Sequence, residues 1–246
     1  MSIESPEDLM GMREAARVTR DTLDALERRV RPGTTTGELD AIAAMLFERE
    51  GARSAPAMVY GFPGTVLISI NDEIVHGIPG ARVIRAGDLV KLDVTVEKDG
   101  FIADAARTVV AGRGSALSHR LAQCARAAFE AGAAVARAGV RVNEIGRAVD
   151  REVRRRGFCV VRDLSGHGVG RTIHEEPTVP NQYYPWQKDV LTEGLVLTIE
   201  PMISAGSAQP VTAPDRWTIR TRDGSLSAHY EHTLVITPGA PLILTA

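Results

Sequence analysis

The chain repeats itself, and this constrains its fold more than any single motif. "PGTTTGELDAIAAMLFEREG" (Pro32 to Gly51) and "AGVRVNEIGRAVDREVRRRG" (Ala138 to Gly157) align without a gap. Gly33 matches Gly139, Glu38 matches Glu144, Leu39 matches Ile145 and Gly51 matches Gly157. Each segment follows a helix-like stretch. The first, Pro6 to Val30, puts Leu9, Met12, Ala16, Leu23, Leu26 and Val30 on one face. Ser5 is its cap and Pro6 lies in its first turn. The second is alanine-rich and runs from Ala116 to Ala138. Thr36 and Asn143 would cap the shorter helices, which stop at Gly51 and Gly157. The match continues: "IVHGIP" pairs His76 with His174 of "TIHEEP", and "GDLVKLD" pairs Asp93 with Glu200 of "GLVLTIE". Each half then carries an Asp-Gly turn, in "EKDG" (Glu97 to Gly100) and "RDGS" (Arg222 to Ser225), which predicts a hairpin in each. Helices followed by strands, performed twice, predict one α+β domain over residues 1–246. Its halves, about 5–112 and 115–246, would be related by a pseudo-two-fold with a site between them.

The two aspartates of the first hairpin interrupt apolar runs, where a charge is costly. Asp93 and Asp104 are equidistant from the point between Lys98 and Asp99. Regular pairing about that point would set them directly opposite, Cβ atoms ~5 Å apart. Two like charges at ~5 Å and an effective dielectric of ~20 repel by ~3 kcal/mol. A bulge, a shared proton or a solvent-facing side chain would relieve this, but a bound cation is the reading we favour for a facing pair. Glu200 closes the apolar run "GLVLTIE", and Glu231 lies in "SAHYEHTLVIT", the expected return strand of the second hairpin. His167 in "LSGHGVGR" is flanked by glycines that allow close backbone approach to a ligand. The segment is not the dinucleotide fingerprint, and there is no P-loop, H-E-x-x-H or G-x-S-x-G. Four carboxylates and one imidazole have the composition and charge of a two-metal hydrolytic centre. His76 and His174 are left to bind or protonate substrate atoms beside it.

Bulk properties narrow the class. With 44% hydrophobic and 24% charged residues and a net charge of −2, the chain gives no footing for DNA or a membrane. The polar start "MSIESPEDLM" is not a signal peptide, and the residues before Ser5 have little to order them. Cys124 and Cys159 are far apart and read as reduced core residues. A cytoplasmic monomer is expected. The basic run "REVRRRG" (Arg151 to Gly157) reads as a solvated helix face, with the ribosome as the partner it could otherwise meet.

Taken jointly and in order, "SINDEIVHGIP", "LDVTVEKDGFIADAART", "SGHGVGRTIHEEP", "TIEPM" and "SLSAHYEHT" resemble the methionine aminopeptidases, type I, of the pita-bread metallohydrolases. The resemblance covers nearly the whole chain and implies the pita-bread fold, with helices packed on a curved antiparallel sheet. It implies Asp93, Asp104, His167, Glu200 and Glu231 as ligands of two divalent ions (Co, Mn, Fe or Zn). Glu200 would also be the general base, and His76 and His174 would contact substrate. The implied reaction is removal of N-terminal methionine from nascent polypeptides with a small second residue, through a water bridging the metals. Phe62 and Trp217 match the family's methionine pocket, while Val59, Leu67 and Ile173 stand where tyrosine, cysteine and phenylalanine are common. All remain apolar, so the pocket would persist with altered shape. No long insert separates "HEEP" from "TIEP", which sets the chain apart from the type II branch. An X-Pro aminopeptidase of the same fold is the nearer alternative, disfavoured by the short lead into the first helix. A catalytically silent binding protein is the other, disfavoured because all five ligands are present.

Overall fold

A computed structural model describes all residues 1–246. The first half runs α1 (Pro6–Glu27), α2 (Thr36–Glu50), β1 (Arg53–Ser54), α3 (Ala55–Tyr60), β2 (Leu67–Ile70), β3 (Glu73–Val75), β4 (Leu89–Lys98) and β5 (Phe101–Val110). The second runs α4 (Ala116–Val135), α5 (Val142–Arg155), β6 (Cys159–Val160), β7 (Ser165–Gly168), β8 (Glu175–Pro180), β9 (Val196–Ile199), β10 (Met202–Ser204), β11 (Pro210–Thr212), β12 (Ile219–Thr221), β13 (Ser227–His229), β14 (Glu231–Val235) and β15 (Leu242–Ile243). The main sheet is antiparallel, in the order β1-β4-β5-β14-β9-β7-β8, with β2 also on β4 and β15 also on β14. Two small sheets, β13-β10-β6 and β11-β12-β3, flank it.

Each half buries its own core beneath its own helices. Leu23, Leu26, Leu39 and Phe47 pack with Ile68, Leu92 and Val94. Leu121, Phe129, Ile145 and Val149 pack with Leu197, Ile199 and Leu234. The repeat is visible in the hydrogen bonds as well. Thr35 bridges Val83 where Arg141 bridges Val190. The Gly33 amide donates to Ile84 O at 2.9 Å, and the Gly139 amide to Leu191 O at 2.9 Å. Both glycines hold positive φ, 95° and 86°, which an L side chain resists.

The helix starts are partly as expected. The Ser5 hydroxyl accepts from the Asp8 amide, and Gly51 takes the left-handed stop. The cap of α2 is Thr35, one residue before the expected Thr36, because Glu38 closes a capping box with it; the Thr36 hydroxyl is already bonded to Gly80 O. Asn143 does not cap α5: it lies inside the helix, buried, with its amide donating to Tyr184 O. Helix α3, unforeseen in the sequence, is capped by Ser54 and stopped by Gly61.

Three expectations about strands and termini are corrected. The first hairpin turns on Asp99 and Gly100, whose φ values of 51° and 83° suit a two-residue primed turn. The register therefore sets Asp93 against Ala106 and Asp104 against Thr95, so the two aspartates are diagonal neighbours on one face rather than directly opposite. The second Asp-Gly turn joins strands that part company: β12 pairs with β3, and β13 pairs with β10. Glu231 instead joins the main sheet on β14. Finally, the first residues are ordered. Ser2 bridges Leu195, the Ile3 amide donates to Gly194 O, the Val196 amide donates to Met1 O, and the Met1 ammonium pairs with Glu175.

Candidate active site

Five neighbouring strands converge on one point. In sheet order, β4 supplies Asp93, β5 Asp104, β14 Glu231, the end of β9 Glu200, and β7 His167. All five line the floor of a cavity of about 550 Å³, with His76 and His174 in its walls. Every residue proposed from sequence as a ligand or as a substrate-contacting histidine is brought together.

The strands aim these side chains through local bonds. The Asp104 amide donates to the Thr233 hydroxyl, which donates back to Asp104 O, tying β5 to β14 at 2.9 and 2.8 Å. The Thr198 hydroxyl accepts from the His167 amide and donates to Glu200 Oε1 at 2.8 Å. A register shift between His167 and Gly168 turns the imidazole inward. The flanking glycines serve the sheet: a Cβ at Gly166 would meet Thr198 O at 2.6 Å. Sequence reading assigned them to ligand approach, whereas they allow neighbouring strands to close up. His167 Nδ1 lies 2.9 Å from Gly168 O, an arrangement that fixes its tautomer if Nδ1 donates and leaves Nε2 directed at Glu200 Oε1, 3.3 Å away.

Burial and mutual repulsion of carboxylates dominate the electrostatics of the site. Burial raises Asp93, and Asp104 and Glu200 raise it further. Burial pushes Asp104 up to about 7, opposed by hydrogen bonds from Thr95 and the Ala105 backbone. Glu200 and Glu231 are raised by burial and by the surrounding carboxylates. Burial pushes His167 and His76 down to about 4, so both are neutral at pH 7 and free to ligate or donate. Asp104 Oδ1 and Glu231 Oε1 are buried with no hydrogen-bond partner. Ligand atoms of Asp104, His167 and Glu231 lie within 4.8 Å of one another, as do those of Asp93, His229 and Glu231. Each triad has the spacing to hold a metal ion, and the two share Glu231.

Beside this floor one part of the wall is apolar. Phe62, Leu67, Ile173 and Trp217 line the cavity as expected, joined by Val75 and Met202. Phe62 and Trp217 meet edge-on at 5.3 Å. Val59 is corrected: it points away and is 47% exposed. Its neighbour Tyr60, about a third of a helical turn on, faces the cavity instead, with its hydroxyl 2.5 Å from His174 Nδ1. His76 sits at φ 60°, a costly conformation for a non-glycine residue, and is held by the Gly77 amide on Ser69 Oγ. Sequence reading missed Thr95, Thr198, Thr233 and His229. Each lies two residues from one of the site carboxylates in the sequence, which is the signal that could have found them.

Residues 10–238 match metallopeptidase family M24. The curated methionine aminopeptidase 2 of Bacillus subtilis is 41% identical over 100% of this chain and 99% of its own length. The chain belongs to the methionine aminopeptidases of family M24. Within this family, the methionine aminopeptidase of Escherichia coli K12 is 40% identical over 100% of the chain and 94% of its own length. The crystal structure of methionine aminopeptidase from Rickettsia prowazekii superposes with a TM-score of 0.96 at 35% identity, covering 100% of both chains. Prolidase from Pyrococcus furiosus, at 22% identity and a TM-score of 0.78, shares the fold and fills 65% of its length with it. This is the pita-bread fold that the resemblance implied, and it has the repeated α+β plan expected from the duplication. The chain is an enzyme of this metallopeptidase class, with a divalent-metal requirement. No helix is long and apolar enough to cross a membrane.

Proposed function

We propose that this cavity removes the N-terminal methionine from peptides and nascent proteins, with Asp93, Asp104, His167, Glu200 and Glu231 holding two divalent cations. The observation that carries the reading is the convergence of these five groups, two of their oxygens buried and unpartnered, at the foot of a cleft with an apolar flank. Bound cations would supply Lewis acidity toward the carbonyl and lower the pKa of water. The remaining work falls to the chain. Phe62, Leu67, Ile173 and Trp217 receive the unbranched methionine side chain by apolar contact. The acidic floor suits the free α-amine. Glu200, held by Thr198, takes a proton from water at a carboxylate oxygen and returns it to the leaving amine. His174, steadied at Nδ1 by Tyr60, turns Nε2 to the scissile amide, and neutral His76 donates to the carbonyl oxygen as charge develops there. A small second residue is preferred, and the enzyme works in the cytoplasm.

Chelator-stripped protein should lose hydrolysis of Met-Ala-Ser and regain it with Co, Mn, Fe or Zn. Two bound equivalents should accompany recovery. Full activity in stripped protein would overturn the reading.

A further inference from the structure

His229 is not among the five ligands or the two substrate-contacting histidines proposed above. It is 1% exposed, beneath the cavity floor, and neither ring nitrogen has a hydrogen-bond partner. Its Nε2 lies 3.5 Å from Glu231 Oε2 and 3.9 Å from Glu200 Oε2. The backbone is pinned, since the His229 amide donates to the Thr108 hydroxyl at 2.9 Å and that hydroxyl donates to His229 O at 2.7 Å. Pairing of His229 with Met202 fixes the register from the other side. The backbone is therefore fixed, and Nε2 of the buried ring faces the carboxylates.

A buried imidazole with both nitrogens unsatisfied is rare, and calls for a partner. The two triads indicate which one. Asp104, His167 and Glu231 form one three-ligand group, and Asp93, His229 and Glu231 form the other. His229 stands to Asp93 as His167 stands to Asp104, with Glu231 common to both. We propose that His229 is a sixth protein ligand, giving the cation on Asp93 and Glu231 its own imidazole, so that each cation carries one nitrogen donor. A mixed nitrogen and oxygen shell at both positions favours first-row transition ions over magnesium or calcium.

This rests on the two-cation reading, and the test separates the two. Stripped protein is titrated with Co(II), followed by calorimetry and by proton NMR in water, where ring N–H protons of ligating imidazoles give strongly shifted, exchangeable signals. Two such signals are expected at two equivalents. In His229→Gln one signal disappears, the weaker-binding equivalent loses at least about ten-fold in affinity, and the other equivalent is unchanged. Two tight sites with a single imidazole signal, or a folded His229→Gln with both affinities unchanged, overturn the sixth ligand alone. Absence of tight Co(II) binding to the wild type overturns both readings. The wild-type spectrum decides the question even if the variant does not fold.

Discussion

Asp104 has opposite value in the loaded and metal-free protein. Its carboxyl is pushed up to about 7 by burial, against about 4 in an unfolded chain. Between those values the folded state binds more protons than the unfolded state, so the contribution of Asp104 to stability falls as pH rises. Asp104→Asn abolishes that loss. Without metal, the melting temperature of the variant should therefore gain on that of wild type as pH rises from about 4 to about 7 and hold its lead above that. With metal the order should reverse, and kcat should fall below about a tenth of wild type because a ligand charge is gone. Retention of more activity than that would remove Asp104 from the ligand set. His174 gives a contrasting case, since its Nδ1 is engaged by Tyr60. His174→Ala should lower kcat and leave metal content unchanged, and Tyr60→Phe should cost roughly ten-fold, the worth of one hydrogen bond. Loss of metal in step with activity in His174→Ala would make His174 a ligand.

At the scale of elements, the site depends on how closely strands approach one another. β7 and β9 lie so near that a methyl group at Gly166 would press on Thr198 O at 2.6 Å. That backbone atom cannot yield without moving both His167 and Glu200. Gly166→Ala should fold with a lowered melting temperature and weakened metal binding, the two falling together; unchanged metal affinity by calorimetry would show that the strands can part. Legibility stops at this scale. The carboxylates, the repeated histidines and the helix pairs were all readable, because composition and periodicity carry them. Register was not: moving the turn from Lys98–Asp99 to Asp99–Gly100 depends on which residues accept positive φ. The second Asp-Gly turn has the same local signal as the first, yet β12 and β13 find partners distant in the chain. Local sequence specifies the turn, while tertiary pairing decides whether a hairpin follows. The basic run of α5 is likewise moderated by its neighbours, with Arg154 on Asp150 and both Arg155 and Arg156 on Glu152.

The molecule as a whole was foreseeable from its duplication, since two halves that each bury a helical face leave their strand ends to meet at the centre. The course of the first residues was not, because nothing local in Met1-Ser2-Ile3 signals an added bridge to Leu195. That course bears on the substrate preference proposed above, because Met1-Ser2-Ile3 has the proposed pattern of methionine followed by a small residue. In the folded protein Met1 O accepts from the Val196 amide, its ammonium is held by Glu175 and Val169 O, and its side chain lies against Gly170. The same three residues free in solution carry none of these restraints. A synthetic Met-Ser-Ile peptide should therefore be cleaved after methionine by the metal-loaded enzyme, with Met-Lys and Met-Leu peptides cleaved much more slowly. Folded protein still carrying Met1 should keep it under the same conditions, as read by intact mass, because release would require the strand to leave Leu195 and the ion pair to break. Removal of Met1 from folded protein as fast as from the peptide would show that this edge opens readily. Equal rates on all three peptides would discard the small-residue preference while leaving the aminopeptidase chemistry in place.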